Sequence, residues 1–182
     1  MKALVLAAGA AALTVALPGS AEVMTIGGSF AHSCYLSAKA RDSTSRALEE
    51  CSQALTQEAL TTHDRFATHV NRGILRMINR DYANAEQDYD RAIALDGRSG
   101  EPWLNMAIMR FNQRRAAEAI PLFDRALELG TIRPEVAYYG RALAHEDTGN
   151  VRAAYADLRR AVQLKPRWSE PAIDLARYQV RR

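Results

Sequence analysis

Three stretches of the chain repeat one pattern of small and large residues: AEQDYDRAIALD at 85–96, AIPLFDRALELG at 119–130 and AYADLRRAVQLK at 154–165. In each stretch an alanine is followed four residues later by a bulky side chain, three residues after that by a second alanine, and then by an aliphatic residue. Spacings of four, three and one keep these side chains on one face of an α-helix. Because small and large residues alternate on that face, the pattern predicts helices that pack closely against a partner.

A partner helix is predicted before each of these stretches. Gly73, Ala107 and Ala142 each precede the first alanine of the pattern by twelve residues. A small residue at that place lets the two helices of a hairpin cross at close range. Gly149 suits the turn before Asn150, which can cap the helix that follows. The sequence therefore predicts helix-turn-helix repeats at residues 66–99, 100–133 and 135–168.

This arrangement resembles the tetratricopeptide repeat, a helix-turn-helix unit of 34 residues with small residues at positions 8, 20 and 27. The residues that carry the resemblance are Gly73, Ala85, Tyr89 and Ala92 in the repeat 66–99, Trp103 in the next repeat and Pro166 in the third. The resemblance implies an all-α fold, an α-solenoid that forms a right-handed superhelix arc. It also implies that the first helix of each repeat lines the concave face and the second helix the convex face.

The resemblance extends to a degenerate first repeat at residues 29–62. Its register puts Cys34 and Cys51 at facing positions of the hairpin and so implies a disulfide between them. An oxidising compartment favours the same pairing. A zinc site with His32 and His63 is a further possibility, so a redox- or metal-responsive protein centred on the two cysteines stays open as an alternative function.

The two ends of the chain differ from the repeats. A positive start at Lys2, an apolar run and small residues before Glu22 are typical of a secretory signal peptide that is cleaved between Ala21 and Glu22. We therefore expect an exported protein, periplasmic or secreted, that does not span a membrane after cleavage. The expected divisions are the signal peptide at 1–21, a mature N-terminal stretch at 22–33, and a repeat domain at 34–182 closed by a capping helix at 169–180.

The composition and motifs argue against several classes of protein. The chain has 24 basic and 21 acidic residues, a net charge of +3, and no basic block, so a nucleic-acid partner is not expected. No nucleophile elbow, glycine-rich phosphate loop or HExxH motif occurs, so neither an enzyme nor a cofactor is expected. His69 and His145 fall at packing positions, and the carboxylates on the helix faces are interpreted as solvated charges.

The concave face implied by the resemblance is mostly apolar, as protein interfaces often are. Asn71 and Asn105 share one position in successive repeats, and Gly140 takes that position in the third. A carboxamide both donates and accepts hydrogen bonds, so these asparagines either hold the backbone of an extended peptide or bond locally. The residues expected to contact a peptide are Val70, Asn71, Ile74, Met77, Leu104, Asn105, Ile108, Phe111, Tyr139 and Leu143.

These observations predict a monomeric, non-enzymatic interaction module that binds a peptide or helix of a cell-envelope protein in its concave groove. A structural or self-associating subunit with an occupied groove is the alternative. The stretch after residue 21 is apolar for a free tail, since it contains Val23, Met24, Ile26 and Phe30. It is expected either to be disordered or to cover the groove in competition with the partner.

Overall fold

The structure, a computed structural model, describes residues 4–6, 21–25 and 29–180. Within those ranges the chain forms helices joined by short turns, together with a small sheet made from its two ends. In chain order the elements are β1 (Leu4–Leu6), α1 (Ser29–Ala40), α2 (Ser45–Gln57), α3 (Thr62–Ile78), α4 (Tyr82–Leu95), α5 (Glu101–Asn112), α6 (Ala116–Glu128), α7 (Pro134–Asp147), α8 (Val151–Leu164), α9 (Ser169–Ala176) and β2 (Tyr178–Val180).

The helices pack as consecutive hairpins, α1 with α2, α3 with α4, α5 with α6 and α7 with α8. Each second helix also packs on the first helix of the next pair, and α9 packs on α8. The first helices α1, α3, α5 and α7 contact one another in sequence, so they form one continuous face. The predicted α-solenoid is confirmed, and its hairpins correspond to the predicted repeats.

The repeated small and large residues build the cores of the hairpins. Tyr89, Phe123 and Leu158, the bulky members of the pattern, are each fully buried. Gly73 illustrates why the facing position must be small, because a Cβ atom there would lie 2.5 Å from Cε1 of Tyr89. The ring thus fills the space that a side chain on α3 would need, and the two helices interlock.

The turns inside the hairpins share one backbone conformation. A residue with left-handed backbone ends each first helix: Arg41 (φ 57°), Arg80 (φ 62°), Arg114 (φ 64°) and Gly149 (φ 79°). After α3, the Arg80 N–H donates to the Met77 carbonyl at 3.0 Å and the Asp81 N–H donates to the Arg76 carbonyl at 2.9 Å. These bonds satisfy the last carbonyls of the helix and reverse the chain within a few residues.

A disulfide joins the two helices of the first hairpin. Cys34 on α1 and Cys51 on α2 are fully buried, with an S–S distance of 2.02 Å and a Cα–Cα distance of 4.8 Å. The predicted pairing is confirmed. Because the two sulfurs are bonded to each other, neither is a thiolate that could ligate zinc. The alternative of a zinc site with His32 and His63 is therefore wrong for the oxidised chain.

Helix α1 begins before the domain boundary predicted at residue 34. The Phe30 N–H donates to Glu58 Oε1 at 2.8 Å, and the Ala31 N–H donates to Glu58 Oε2 at 3.1 Å. A carboxylate at a helix N-terminus satisfies free N–H groups and complements the helix dipole. Residues 29–33, which we assigned both to the N-terminal stretch and to the first repeat, thus belong to the repeat, and Phe30 is not part of a free tail.

The chain ends differently from the single capping helix predicted at 169–180. Helix α9 ends at Ala176, and β2 then pairs antiparallel with β1, Leu4 lying opposite Val180. Backbone groups that would have continued the helix are instead used in the sheet. β1 lies within residues 1–21, the stretch predicted to be cleaved as a signal peptide, so this sheet is a feature of the uncleaved chain and the cleavage stays a prediction.

Candidate functional site

An extended stretch, residues 21–25, lies across the face formed by the first helices. We call this stretch the groove segment and the face of α3, α5 and α7 the groove. Asn71 on α3 binds the segment with both ends of its carboxamide. The Val23 N–H donates to Asn71 Oδ1 at 3.0 Å, and Asn71 Nδ2 donates to the Val23 carbonyl at 2.7 Å. Both bonds go to backbone groups, so neither depends on the side chain of residue 23.

Asn105 on α5 makes the same pair of bonds one repeat further along. The Ala21 N–H donates to Asn105 Oδ1 at 3.1 Å, and Asn105 Nδ2 donates to the Ala21 carbonyl at 3.2 Å. Alternate residues of an extended chain face the same way, which is why residues 21 and 23 can meet equivalent asparagines. The sequence left two roles open for these asparagines. The structure shows that they hold an extended backbone, and that this backbone belongs to the same chain.

The apolar residues predicted for this face form the floor of the groove. Val23 packs against a cluster that contains Val70 and Ile74. Ala21 is fully buried in the main core cluster, whose groove members are Met77, Leu104, Ile108, Tyr139 and Leu143. Phe111 is half-buried at the edge of that cluster. The predicted contact residues thus lie on one face, and all except Phe111 are buried.

The ladder of asparagines stops at α7. A Cβ atom at Gly140 would overlap the ring of Phe123, so an asparagine at this position would displace the ring. The neighbouring Tyr139 donates its hydroxyl to the Asp174 carboxylate at 2.7 Å and packs edge to face on Trp168 at a centroid distance of 4.9 Å. Burial and the bond to Asp174 raise the pKa of Tyr139 well above its ordinary value. Tyr139 is therefore held by residues of the C-terminal cap, Trp168 and Asp174.

Polar contacts at the rim of the groove were not predicted from the sequence. Glu22 lies between the two asparagine-bound residues, with its Oε2 3.8 Å from Nη1 of Arg133. The guanidinium of Arg133 also approaches Glu135 at 3.4 Å. Thr25 is 3% exposed, and its Oγ1 has no hydrogen-bond partner among the described residues, whereas Met24 is 59% exposed. Arg133 lies in the turn between α6 and α7, so the helical repeat pattern carried no signal for it.

A second polar cluster lies between α3 and α4. Asp88 is fully buried and accepts hydrogen bonds from Arg72 Nη2 at 2.8 Å and Arg76 Nη1 at 2.6 Å, and its Oδ1 is 2.9 Å from His69 Nδ1. Burial alone would raise the pKa of Asp88, but hydrogen bonds from His69 and Arg72 and the charges of Arg72 and Arg76 hold it below its ordinary value. His69, predicted as a packing residue, instead completes this network. We interpret the cluster as a link between the two helices.

The remaining chemistry of the described residues points to packing. Burial and the nearby charge of Arg141 lower the pKa of His145, although Asp157 and Asp124 oppose that shift. Burial thus favours the neutral form of this histidine, as suits its predicted packing position. Residues 4–6, 21–25 and 29–180 contain no group of three or more His, Cys, Asp and Glu side chains arranged to hold a metal ion. None of the helices in these ranges combines the length and apolarity needed to cross a membrane.

Comparison with known proteins agrees with this architecture. The profile of the tetratricopeptide repeat matches residues 70–136 and 104–167, which together span more than half of the chain. The chain is also similar to human protein O-mannosyl-transferase TMTC3, with 28% identity over 106 residues. Those residues make up 58% of this chain and 12% of the human protein, so the similarity covers a small part of that relative's length.

Proposed function

Because the chain belongs to the tetratricopeptide repeat family, we propose that it is a non-enzymatic interaction module that holds an extended peptide of a partner protein in its groove. Stacked helical repeats provide long concave surfaces of the kind that bind other proteins. The proposed partner is a protein of the cell envelope, and no nucleic acid or cofactor takes part. The human relative is named as a transferase, but with 12% of its length matched, its activity is not extended to this chain.

The observation that carries the proposal is the pairing of Asn71 and Asn105 with backbone groups of an extended segment. Each carboxamide matches the one donor and one acceptor that any peptide residue other than proline offers. Such a hydrogen bond contributes about 0.5–1.5 kcal/mol net, so the pairs supply affinity without fixing the sequence of the peptide. The apolar floor adds burial of the side chains that face it.

We further propose that the chain is exported, to the periplasm or beyond the cell. The signal-like residues 1–21 support this, and so does the disulfide Cys34–Cys51, since disulfides are rare in reducing compartments. Cleavage between Ala21 and Glu22 would remove the residue bonded to Asn105 and leave the Val23 contact in place. A partner peptide that uses both asparagines would then displace the Val23 contact and compete with the remaining residues of the groove segment. Mass spectrometry of the exported protein should find Glu22 at its N-terminus.

A self-associating subunit is the second candidate, and the occupied groove favours it. A segment that reaches the groove of its own chain could also reach the groove of a second copy. Light scattering during size exclusion separates the two candidates. A monomer mass that stays constant over a wide range of concentrations supports the interaction module, and a mass that rises towards the dimer supports the alternative.

The peptide-binding proposal is tested with a display library of short random peptides. The bait is the full chain with Ala21→Asp and Val23→Asp, since an unpaired charge at the buried position 21 and one against the apolar floor at the half-buried position 23 should together expel the groove segment. Selected peptides should lose binding when Asn71→Ala and Asn105→Ala are added. Asn112→Ala, at an exposed position at the end of α5, is the matched control and should retain binding. Peptides that bind equally well to both variants would contradict the groove as the binding site.

A further inference from the structure

We propose that the partner is an extended peptide whose sequence resembles that of the groove segment. Its five successive positions are a small residue, an acidic residue, an aliphatic residue, any residue and a β-branched residue. The inference rests on the proposed function and specifies its ligand. The peptide runs from α5 towards α3 in the N-to-C direction, because Ala21 is bonded by Asn105 and Val23 by Asn71. Each position of this pattern follows from what the corresponding residue of the groove segment contacts.

The backbone bonds and the burial of the segment identify the positions that contact the groove. Residues 21 and 23 are bonded by equivalent asparagines, which is the period of two of an extended strand whose alternate side chains face one way. Ala21 and Thr25 are buried, Val23 is half-buried against the floor and Glu22 is half-buried beside Arg133, whereas Met24 is 59% exposed. The first, third and fifth positions therefore meet the groove, and the fourth faces solvent and is free to vary.

The first position requires a small side chain. Ala21 is fully buried, with 0% relative accessibility, and lies in the same core cluster as Leu104 and Ile108. A larger residue there would have to displace packed side chains of α5. The third position differs, because Val23 is only half-buried beside Val70 and Ile74, which leaves room for valine or isoleucine.

The second position favours an acid. Glu22 lies 3.8 Å from Arg133, and both side chains are partly shielded, at 22% and 27% exposure. Arg133 also contacts Glu135, so its guanidinium bridges two carboxylates and its charge is partly balanced within the chain. The preference for an acid is therefore modest. A basic residue at the second position of the peptide should weaken binding more than a neutral residue does.

The fifth position is imperfectly matched in the chain's own segment. Thr25 is 3% exposed, and its Oγ1 finds no hydrogen-bond partner among the residues that the structure describes. A buried hydroxyl without a partner weakens binding. Valine has the same shape without that hydroxyl, so a partner peptide with valine at the fifth position should bind more tightly than the segment itself.

The experiment measures fluorescence anisotropy with capped, labelled peptides that have the sequence of residues 20–26. The protein is the full chain with Ala21→Asp and Val23→Asp, which leaves every groove residue intact. Expected changes are a loss of at least about tenfold in affinity for Ala21→Trp in the peptide, about fivefold for Glu22→Lys, and a gain of about fivefold for Thr25→Val. Met24→Lys is the matched control and should change affinity by less than about twofold.

The outcomes separate this inference from the proposed function. If all the peptides bind with equal affinity and lose binding with Asn71→Ala, the groove holds backbones without reading side chains, and the sequence class is overturned while the proposed function stands. If no peptide binds a chain whose circular dichroism confirms its helices, the proposed function fails as well. If the Met24→Lys peptide binds more tightly than the Thr25→Val peptide, the assignment of inward-facing and outward-facing positions is overturned.

Discussion

At the scale of the residue, the groove depends on what a carboxamide can do. Asn71 donates to and accepts from the same backbone residue, with bonds of 2.7 and 3.0 Å. An aspartate at that position would offer acceptors alone, and a leucine would offer neither kind of group. The position of Asn71 and Asn105 in the repeats was enough to predict this role as one of two possibilities.

Close packing at single residues gives a direct test of the hairpin cores. Gly73→Ala should lower the free energy of unfolding by roughly 1–3 kcal/mol, because the added methyl group meets the buried ring of Tyr89. Gly97→Ala is the matched control, since a Cβ atom there makes an ordinary contact of 3.5 Å and the residue is exposed. Urea denaturation measures both. Equal stabilities of the two variants would contradict the packing described for α3 and α4.

Other single residues could not be predicted from the sequence, for physical reasons. Arg133 acts from a turn, where its reach depends on the backbone conformation and not on helical periodicity. The unpartnered hydroxyl of Thr25 depends on where an extended segment comes to rest. Neither leaves a pattern in the order of residues, whereas the small and large positions of the repeats do.

At the scale of the element, the hairpins share one geometry but are joined by different chemistry. Arg72 pairs with Asp88 between α3 and α4, and Arg141 pairs with Asp157 between α7 and α8, each across 16 residues of sequence. A disulfide takes this role in the first hairpin. The interpretation of helix carboxylates as solvated charges is wrong for Asp88, because periodicity does not tell which arginines reach across from the facing helix.

The buried carboxylate predicts a large effect on stability. Asp88→Asn should lower the free energy of unfolding by about 3–5 kcal/mol, because it leaves the guanidinium groups of Arg72 and Arg76 without their charge partner in a buried site. Asp124→Asn removes a carboxylate that is 47% exposed and bonded to Arg141, and should cost less than about 1 kcal/mol. Denaturant titration of the two variants compares them, and a larger loss for Asp124→Asn would refute the structural role of Asp88.

The same carboxylate predicts how stability depends on pH. The folded-state pKa of Asp88 lies below the unfolded value of about 3.9. Its contribution is therefore present above that pH and is lost as the pH falls through the folded value. The free energy of unfolding of the wild-type chain should decrease more steeply below about pH 4 than that of Asp88→Asn. Parallel pH profiles for the two chains would show that Asp88 is not stabilised as its ionised form.

The disulfide stabilises one element of the solenoid. Replacing Cys34 and Cys51 by alanine opens a loop with a sequence separation of 17 residues and should cost about 3 kcal/mol. Because repeats contact mainly their neighbours, the loss should be concentrated in α1 and α2. Hydrogen exchange by mass spectrometry can locate it. Faster exchange spread evenly as far as α8 would contradict a local role for the disulfide.

At the scale of the whole molecule, the helical repeats could be predicted from the sequence, whereas the pairing of the two ends of the chain could not. The repeats were readable because one pattern of packing positions persists from residue 66 to residue 168. Pairing of β1 with β2 joins opposite ends of the chain, and such a contact leaves no periodic signal. The groove segment likewise connects α3 and α5 through backbone bonds, which any residue except proline could make.

The most direct test of the central claim is the exchange rate of single backbone amides, measured by NMR on the full oxidised chain. Val23 donates its N–H group to Asn71 and lies outside the residues removed by the proposed cleavage, so its amide should exchange at least about a hundredfold more slowly than in an unstructured peptide. Asn71→Ala should return the Val23 amide to nearly the unstructured rate, and Asn112→Ala should leave it slow. An unprotected Val23 amide in the wild-type chain, or a Val23 amide that stays slow in Asn71→Ala, would contradict the assignment of Asn71 as the residue that holds an extended backbone in the groove.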